Sequence, residues 1–151
     1  MARYPAAFAL LTVLGCADSL GVDLGAGDLQ LQVIDDLAPG DLPDDPARID
    51  RARLVGTTLE LDLSYAGGCG EHAFALVTGT SFRESWPLFT VMRLAHDAAG
   101  DQCEAFIQRT IRVDLSPIVP HVRRAGGDAL RFELIEPGER FASVGELRFK
   151  F

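Results

Sequence analysis

The sequence predicts one all-β domain, an antiparallel β-sandwich of about seven or eight strands. Three observations support this fold class. Apolar and polar side chains alternate with a period of two in several short segments, most clearly over 58–65. Glycine and proline turns separate these segments at regular intervals, and no long stretch has the periodicity of a helix. A small β-barrel would give the same pattern and is the alternative.

The strand segments follow one another along the chain. Arg48 to Val55 and Thr58 to Tyr65 form a hairpin that turns at Gly56–Thr57. Ser116–Pro117 predicts a single helical turn that Pro120 stops from lengthening. The aspartate- and proline-rich segment 35–46 predicts a solvated loop. The predicted strands are 28–34, 48–55, 58–65, 72–78, 88–96, 105–115, 129–136 and 146–151.

Composition limits the classes of function. The 151 residues suit one domain, and 48% of them are apolar, which is enough to bury a core. The formal charge is −8. An acidic surface repels polyanions, so we expect no nucleic-acid partner.

The N-terminal segment has the features of an export leader. Arg3 is the only charge before Asp18, and the apolar run 6–14 ends in Val13-Leu14-Gly15-Cys16. This resembles a bacterial lipoprotein precursor. The resemblance implies that a signal peptide, 1–15, is removed and that Cys16 carries lipid. A tether, 16–27, would then join the membrane to a single domain, 28–151.

The same resemblance implies a location. A lipidated Cys16 would hold the domain on a membrane of the bacterial cell envelope. In lipoproteins of the enteric type, a residue other than aspartate after the cysteine implies the outer membrane, and here that residue is Ala17. The membrane is therefore the expected partner, and the sequence identifies no protein partner.

Two short segments hold the candidate site. Cys69 precedes one predicted strand and His72 opens it. His96 ends the next predicted strand and Cys103 follows it. If those strands form an antiparallel hairpin around the 79–87 link, His72 lies opposite His96, with Cβ atoms about 5 Å apart. Cys103 would precede a strand pairing on the far side. All four side chains would then converge at one end of the sheet.

Three chemistries suit this cluster. A Cys69–Cys103 disulfide is favoured, because a pair of cysteines in an oxidising compartment usually forms one. The alternative is a zinc or copper site made by Cys69, His72, His96 and Cys103. The third is a Cys–His pair with Asp97 or Asp101 as the orienting group, in which the cysteine would be a nucleophile, although two cysteines this close would oxidise. In the favoured case these two aspartates brace the loop by accepting bonds from backbone N–H groups.

A longer pattern runs over about residues 55–120. It consists of Tyr65-x-Gly-Gly-Cys-x2-His, then Glu84-Ser-x-Pro, then His96-Asp-x3-Asp-x-Cys, then Asp114-Leu-Ser-Pro. This pattern resembles one in uncharacterised bacterial lipoproteins and implies no particular reaction. The single tryptophan, Trp86, is expected to fold back over a sheet edge, and the alternative is an exposed tryptophan with a functional role.

The sequence also lacks the common catalytic motifs. It has no Gly-x-Ser-x-Gly, no phosphate-binding loop and no His-Glu-x2-His. We therefore expect a membrane-tethered, non-enzymatic β-domain of the cell envelope that binds a partner or has a structural role. A metal-handling lipoprotein is the alternative.

Overall fold

A computed structural model describes residues 22–35, 38, 40–138 and 143–151. The predicted signal peptide 1–15 and the first half of the tether, 16–21, which includes Cys16, lie outside the described residues. Among the residues that are described, no helix has the length and hydrophobicity needed to cross a membrane.

The described part of the chain forms nine strands and one short helical segment. The predicted strand 28–34 is in fact two short strands, separated at Leu31, whose side chain enters the core and is only 2% exposed. The strands are β1 (Leu29–Gln30), β2 (Gln32–Val33), β3 (Arg48–Val55), β4 (Thr58–Gly67), β5 (Ala73–Thr78), β6 (Leu88–Asp97), β7 (Ala105–Asp114), β8 (Ala129–Ile135) and β9 (Ser143–Lys150).

These strands form two sheets. One has the order β1-β7-β4-β3 and the other the order β2-β5-β6-β8-β9. The predicted all-β sandwich is confirmed. Both sheets are mixed rather than wholly antiparallel, because β1 pairs with β7, β2 with β5 and β6 with β8 in parallel. The chain leaves β6, runs back along β7 in the other sheet and returns in β8, so β6 and β8 point the same way.

The core lies between the sheets. The leucines that alternate along β4 face inwards, as the sequence pattern predicts, and Leu61 is fully buried. Phe132 of β8 is fully buried in the same cluster. Each sheet thus buries one face of its strands, which is the arrangement that period-two alternation specifies.

The two ends of the sandwich differ. At one end, the loops 68–72 and 98–104 carry the chain from one sheet to the other, and we call this the crossover end. At the opposite end lie the β3–β4 turn, the 79–87 link and the connection 115–128, and we call this the helical end. The register fixes this assignment, since Gly67 pairs with Ala105 at the start of β7.

The helical connection is longer than predicted. A 3-10 turn, Ser116–Ile118, leads directly into α1, Val119–Arg124. The prediction that Pro120 ends the helix is wrong, because Pro120 lies in the first turn of α1. Proline is tolerated in that turn, where the missing N–H has no intrahelical acceptor. Ile118 and Val122 are fully buried and attach the connection to the core.

Two segments cover part of the outer face of the second sheet. Gly25 exchanges both backbone hydrogen bonds with Phe74, at 2.9 and 2.8 Å. The segment around Leu42, in the loop that was predicted to be solvated, buries this leucine against Ala75, Val77 and Ala95. That loop then runs on to contact His96 at the crossover end.

Candidate functional site

The structure brings the predicted cysteines and histidines together at the crossover end. Nδ1 of His72 lies 2.8 Å from Nε2 of His96. The predicted register is wrong by two residues, since His96 pairs with Phe74 rather than with His72. A shift of two keeps every side chain on its original face of the strand, which is why the two rings still meet.

The position predicted for Cys103 is also corrected. Cys103 precedes β7, which belongs to the other sheet and pairs with β4 rather than beside β6. Cys69 follows β4, in the loop that crosses the opposite way. The two cysteines therefore lie on the two crossover loops.

Cys69 and Cys103 are joined by a disulfide, with their Cα atoms 5.8 Å apart and 34 residues apart along the chain. It links the two crossover loops. In the chain-entropy model, closing a loop of this length stabilises the fold by about 4 kcal/mol.

The residues present do not fit the alternative zinc or copper site. Both sulfurs are in the disulfide, so neither is a thiolate, and the histidine nitrogens of the predicted set bond to each other. The compact group of possible ligand atoms that the described residues do offer combines the two sulfurs with Asp101 and includes neither histidine.

Asp101 is the central acceptor of the crossover end. Its Oδ2 accepts hydrogen bonds from the N–H groups of Cys69 and Gly70, both at 2.9 Å, and lies 3.2 Å from Nε2 of His72. Its Oδ1 accepts from the N–H of Cys103 at 2.9 Å. The carboxylate therefore holds both crossover loops, which is more than the local bracing that the sequence predicts.

The same bonds fix the charge of this carboxyl group. The N–H of Cys103, followed by that of Cys69, stabilises the ionised form and holds the pKa of Asp101 well below its usual range. Asp97 has a smaller role, since its Oδ1 accepts from the N–H of Ala99 two residues later, at 2.7 Å. It braces the 98–104 loop locally.

His96 is held from its other side by a segment that sequence reasoning missed. Nδ1 of His96 lies 2.9 Å from the backbone carbonyl oxygen of Asp45. The backbone N–H of His96 donates to the carbonyl of Pro43, and the N–H of Asp45 donates to the carbonyl of His96, both at 3.1 Å. Backbone carbonyls carry no residue-type signal, so the sequence could not have revealed this acceptor.

Both ends of this chain of contacts are acceptors. A carboxylate lies at one end and a backbone carbonyl at the other, and both can only accept. Nδ1 of His96 therefore donates its proton to the Asp45 carbonyl.

Burial favours the neutral form of His96. Desolvation lowers its pKa against an opposing effect of the Asp45 carbonyl, and the neighbouring His72 lowers it further. A neutral His96 has its proton on Nδ1, towards Asp45, and its Nε2 accepts from Nδ1 of His72.

Aromatic rings enclose the pair. Tyr65 stacks on His72 with ring centroids 4.7 Å apart, and Phe74 lies parallel to His96 at 4.6 Å. His72 and His96 are only 3% and 1% exposed. Gly67 makes this packing possible, because a Cβ there would lie 2.5 Å from Nε2 of His72. Every ring nitrogen has a protein partner, so neither imidazole has a nitrogen available to a substrate.

Trp86 lies far from this cluster, at the helical end. The prediction that it folds back over the sheet is wrong, since 74% of the residue is exposed. The link 79–87 that carries it connects β5 to β6.

Comparison with known proteins supports the fold. A NigD-like immunity protein from Bacteroides caccae has a similar structure, with a TM-score of 0.56 and 19% identity over 82% of this chain. A protein of unknown function from Bacteroides vulgatus gives 0.54 and 6% over 83%, and a candidate lipoprotein from Bacteroides fragilis gives 0.54 and 12% over 83%. The chain covers 64%, 57% and 70% of these proteins. At these identities the likeness establishes the fold alone.

The sequence itself matches no protein-family model, and no curated protein matches it.

Proposed function

We propose that this protein is a lipid-anchored, non-enzymatic domain of the bacterial cell envelope that acts as a binding module. The observation that carries the proposal is the Cys69–Cys103 disulfide, which joins the two crossover loops. Disulfides form and persist in oxidising compartments outside the cytosol. The disulfide therefore agrees with the export leader that ends at Cys16.

The anchor would keep the domain close to the membrane. Six positions separate Cys16 from Val22, where the described structure begins. Even a fully extended chain of that length spans only about 20 Å. One of the similar structures is a candidate lipoprotein, which is consistent with this architecture.

The non-enzymatic part of the proposal rests on the histidine pair. A general base needs a nitrogen within hydrogen-bonding reach of a substrate. Here all four ring nitrogens of His72 and His96 bond to protein groups, and both side chains are buried. The pair thus suits a structural role, and the exposed surface is left for binding.

Lipidation can be tested by expressing the full chain in a bacterium and feeding it radiolabelled palmitate. We expect label on the wild type, recovery in the membrane pellet, and mass spectrometry of Cys16 showing acyl groups. Cys16→Ser should lose the label and the membrane association. The neighbouring substitution Ala17→Ser is the matched control and should retain both. A soluble, unlabelled wild type would contradict the proposed anchor.

A further inference from the structure

The helical end exposes apolar side chains. The described residues include three large apolar side chains that are strongly exposed, and two of them, Trp86 and Val55, lie at this end, 74% and 50% exposed. The third, Phe106, opens β7 near the crossover end and is 73% exposed. Single exposed apolar side chains are common on protein surfaces, and Trp86 becomes informative because the N-terminal segment runs towards its end of the molecule.

Basic side chains lie on the link and on the helix at this end of the sandwich. The 79–87 link lies against α1, because Thr80 and Phe82 of the link and His121 and Arg124 of the helix line one cleft of about 290 Å³. Arg83 of the link and Arg123 and Arg124 of the helix are exposed, beside the acidic Glu84 and Asp128.

The excess negative charge lies at the crossover end. The helical end is close to balanced, since Arg83, Arg123, Arg124 and Lys150 are matched by Asp35, Glu84, Asp114 and Asp128. The acidic side chains of the crossover end are Asp44, Asp45, Glu71, Asp97, Asp101 and Glu104. The molecule is therefore polarised along the strands, with its excess negative charge away from Trp86.

The N-terminal segment leads towards the helical end. Gly25 pairs with Phe74 in antiparallel fashion, so the chain traced back from Gly25 to Val22 runs along β5 towards Thr78. Val22 packs against the cluster that contains Val77. The next residue positions along β5 lead into the 79–87 link. The proposed lipid on Cys16, six positions before Val22, can thus reach the end of the molecule that carries Trp86.

We infer that the helical end docks on an anionic bilayer surface, with Trp86 at the level of the headgroups. Tryptophan favours this interface, because its ring has an apolar body and a polar N–H. Arg83, Arg123 and Arg124 would face anionic headgroups, and the acidic crossover end would point away from them. This docking rests on the proposed lipid anchor, which limits how far the domain can move from the membrane.

The single tryptophan provides a direct probe. Full-chain protein, purified from bacterial membranes with its lipid, is reconstituted into vesicles of phosphatidylethanolamine and phosphatidylglycerol. We expect Trp86 emission to shift to shorter wavelength, acrylamide quenching to fall several-fold, and lipids brominated near the headgroup to quench the fluorescence. Arg124→Glu should weaken all three effects. Arg51→Glu, the same charge change on an exposed β3 residue, should leave them unchanged.

A second variant pair tests the direction of docking. Combining Trp86→Phe with Phe106→Trp moves the tryptophan to a position of equal exposure near the crossover end. We expect its emission to remain that of a water-exposed ring and brominated lipids to have no effect. Equal quenching at the two positions would overturn the proposed orientation.

Flotation with the vesicles separates failure of the docking from failure of the anchor. If the protein floats with the vesicles but acrylamide still quenches Trp86, the docking is overturned and the anchor is supported. Protein that does not float would contradict the anchor. The soluble protein would then be mixed with excess anionic vesicles, where a blue shift supports the docking surface and no shift overturns it. Trp86 could instead be shielded from acrylamide in whole envelopes but exposed on protein-free vesicles. In that case the helical end contacts a protein partner, and docking on lipid is overturned.

Discussion

The two ends of the sandwich differ in which side chains they bury and which they expose. The crossover end buries two histidines and a carboxylate, and gives each of their polar atoms a protein partner. The helical end exposes a tryptophan and a valine to solvent. Buried polar groups with every bond satisfied indicate a structural function, whereas exposed apolar groups indicate contact with a partner. The cluster that is richest in reactive residue types is thus not where we propose that the protein binds.

The largest difference between the ends should come from the disulfide. Replacing both Cys69 and Cys103 with alanine should lower the free energy of unfolding by about 2–5 kcal/mol, because the unfolded chain gains freedom. Trp86→Ala at the helical end should change it by no more than about 0.5 kcal/mol. Urea unfolding measures both. Thiol titration of unfolded, unreduced mature protein would contradict the disulfide if it found two free thiols.

A smaller effect is expected from the histidine pair. His72→Ala removes the ring that contacts Asp101 and leaves Nε2 of His96 buried without a partner, which should cost about 2 kcal/mol of unfolding free energy. His121→Ala, at the helical end, is the control and should cost less than about 0.5 kcal/mol. If the two variants were equally stable, the buried network would not contribute to stability.

Gly67 tests how tightly the histidine pair is packed. Gly67→Ala places a methyl group against the His72 ring and should cost about 1 kcal/mol, because the ring must move. Gly27→Ala has no atom within 4 Å of the new Cβ and is the matched control in urea unfolding. If Gly67→Ala is as stable as the wild type and NMR shows that the His72 ring has not moved, the histidine pair is packed loosely.

The pH dependence of stability should be the smallest effect. Burial lowers the pKa of His96 from its ordinary value of 6.5. Between that value and the folded pKa, His96 is protonated in the unfolded chain and neutral in the folded protein. Stability is therefore full above about pH 6.5 and falls as the pH drops towards the folded pKa of His96.

Urea unfolding between about pH 7.5 and about pH 5 measures this loss, since Asp101 stays ionised throughout because its pKa is lowered. His96→Gln can still donate and accept hydrogen bonds but does not titrate, so it should reduce the slope. Stability that rises on acidification would contradict the assignment of His96 as the neutral ring.

Several features of the site could be predicted because they depend on local pattern. Alternation identified the inward face of β4, and the hairpin around the 79–87 link brought His72 and His96 to the same end. An error of two residues in register left each side chain on the correct face of its strand, because a strand has a side-chain period of two. The two other partners of the histidines were not predicted as such. Asp101 was expected only to brace its own loop, and the Asp45 carbonyl has no signature in the sequence.

The sequence by itself determined the all-β class, most strand positions and the faces that each strand buries, because these follow from the spacing of apolar residues along the chain. Only the tertiary structure decided which strands pair in parallel, that β7 belongs to the other sheet, and that Pro120 lies in the first turn of a helix rather than ending one. These features depend on which segments meet through space. Long-range contacts also decided the exposure of Trp86 and the lowered pKa of His96, because both are set by neighbours distant in the chain.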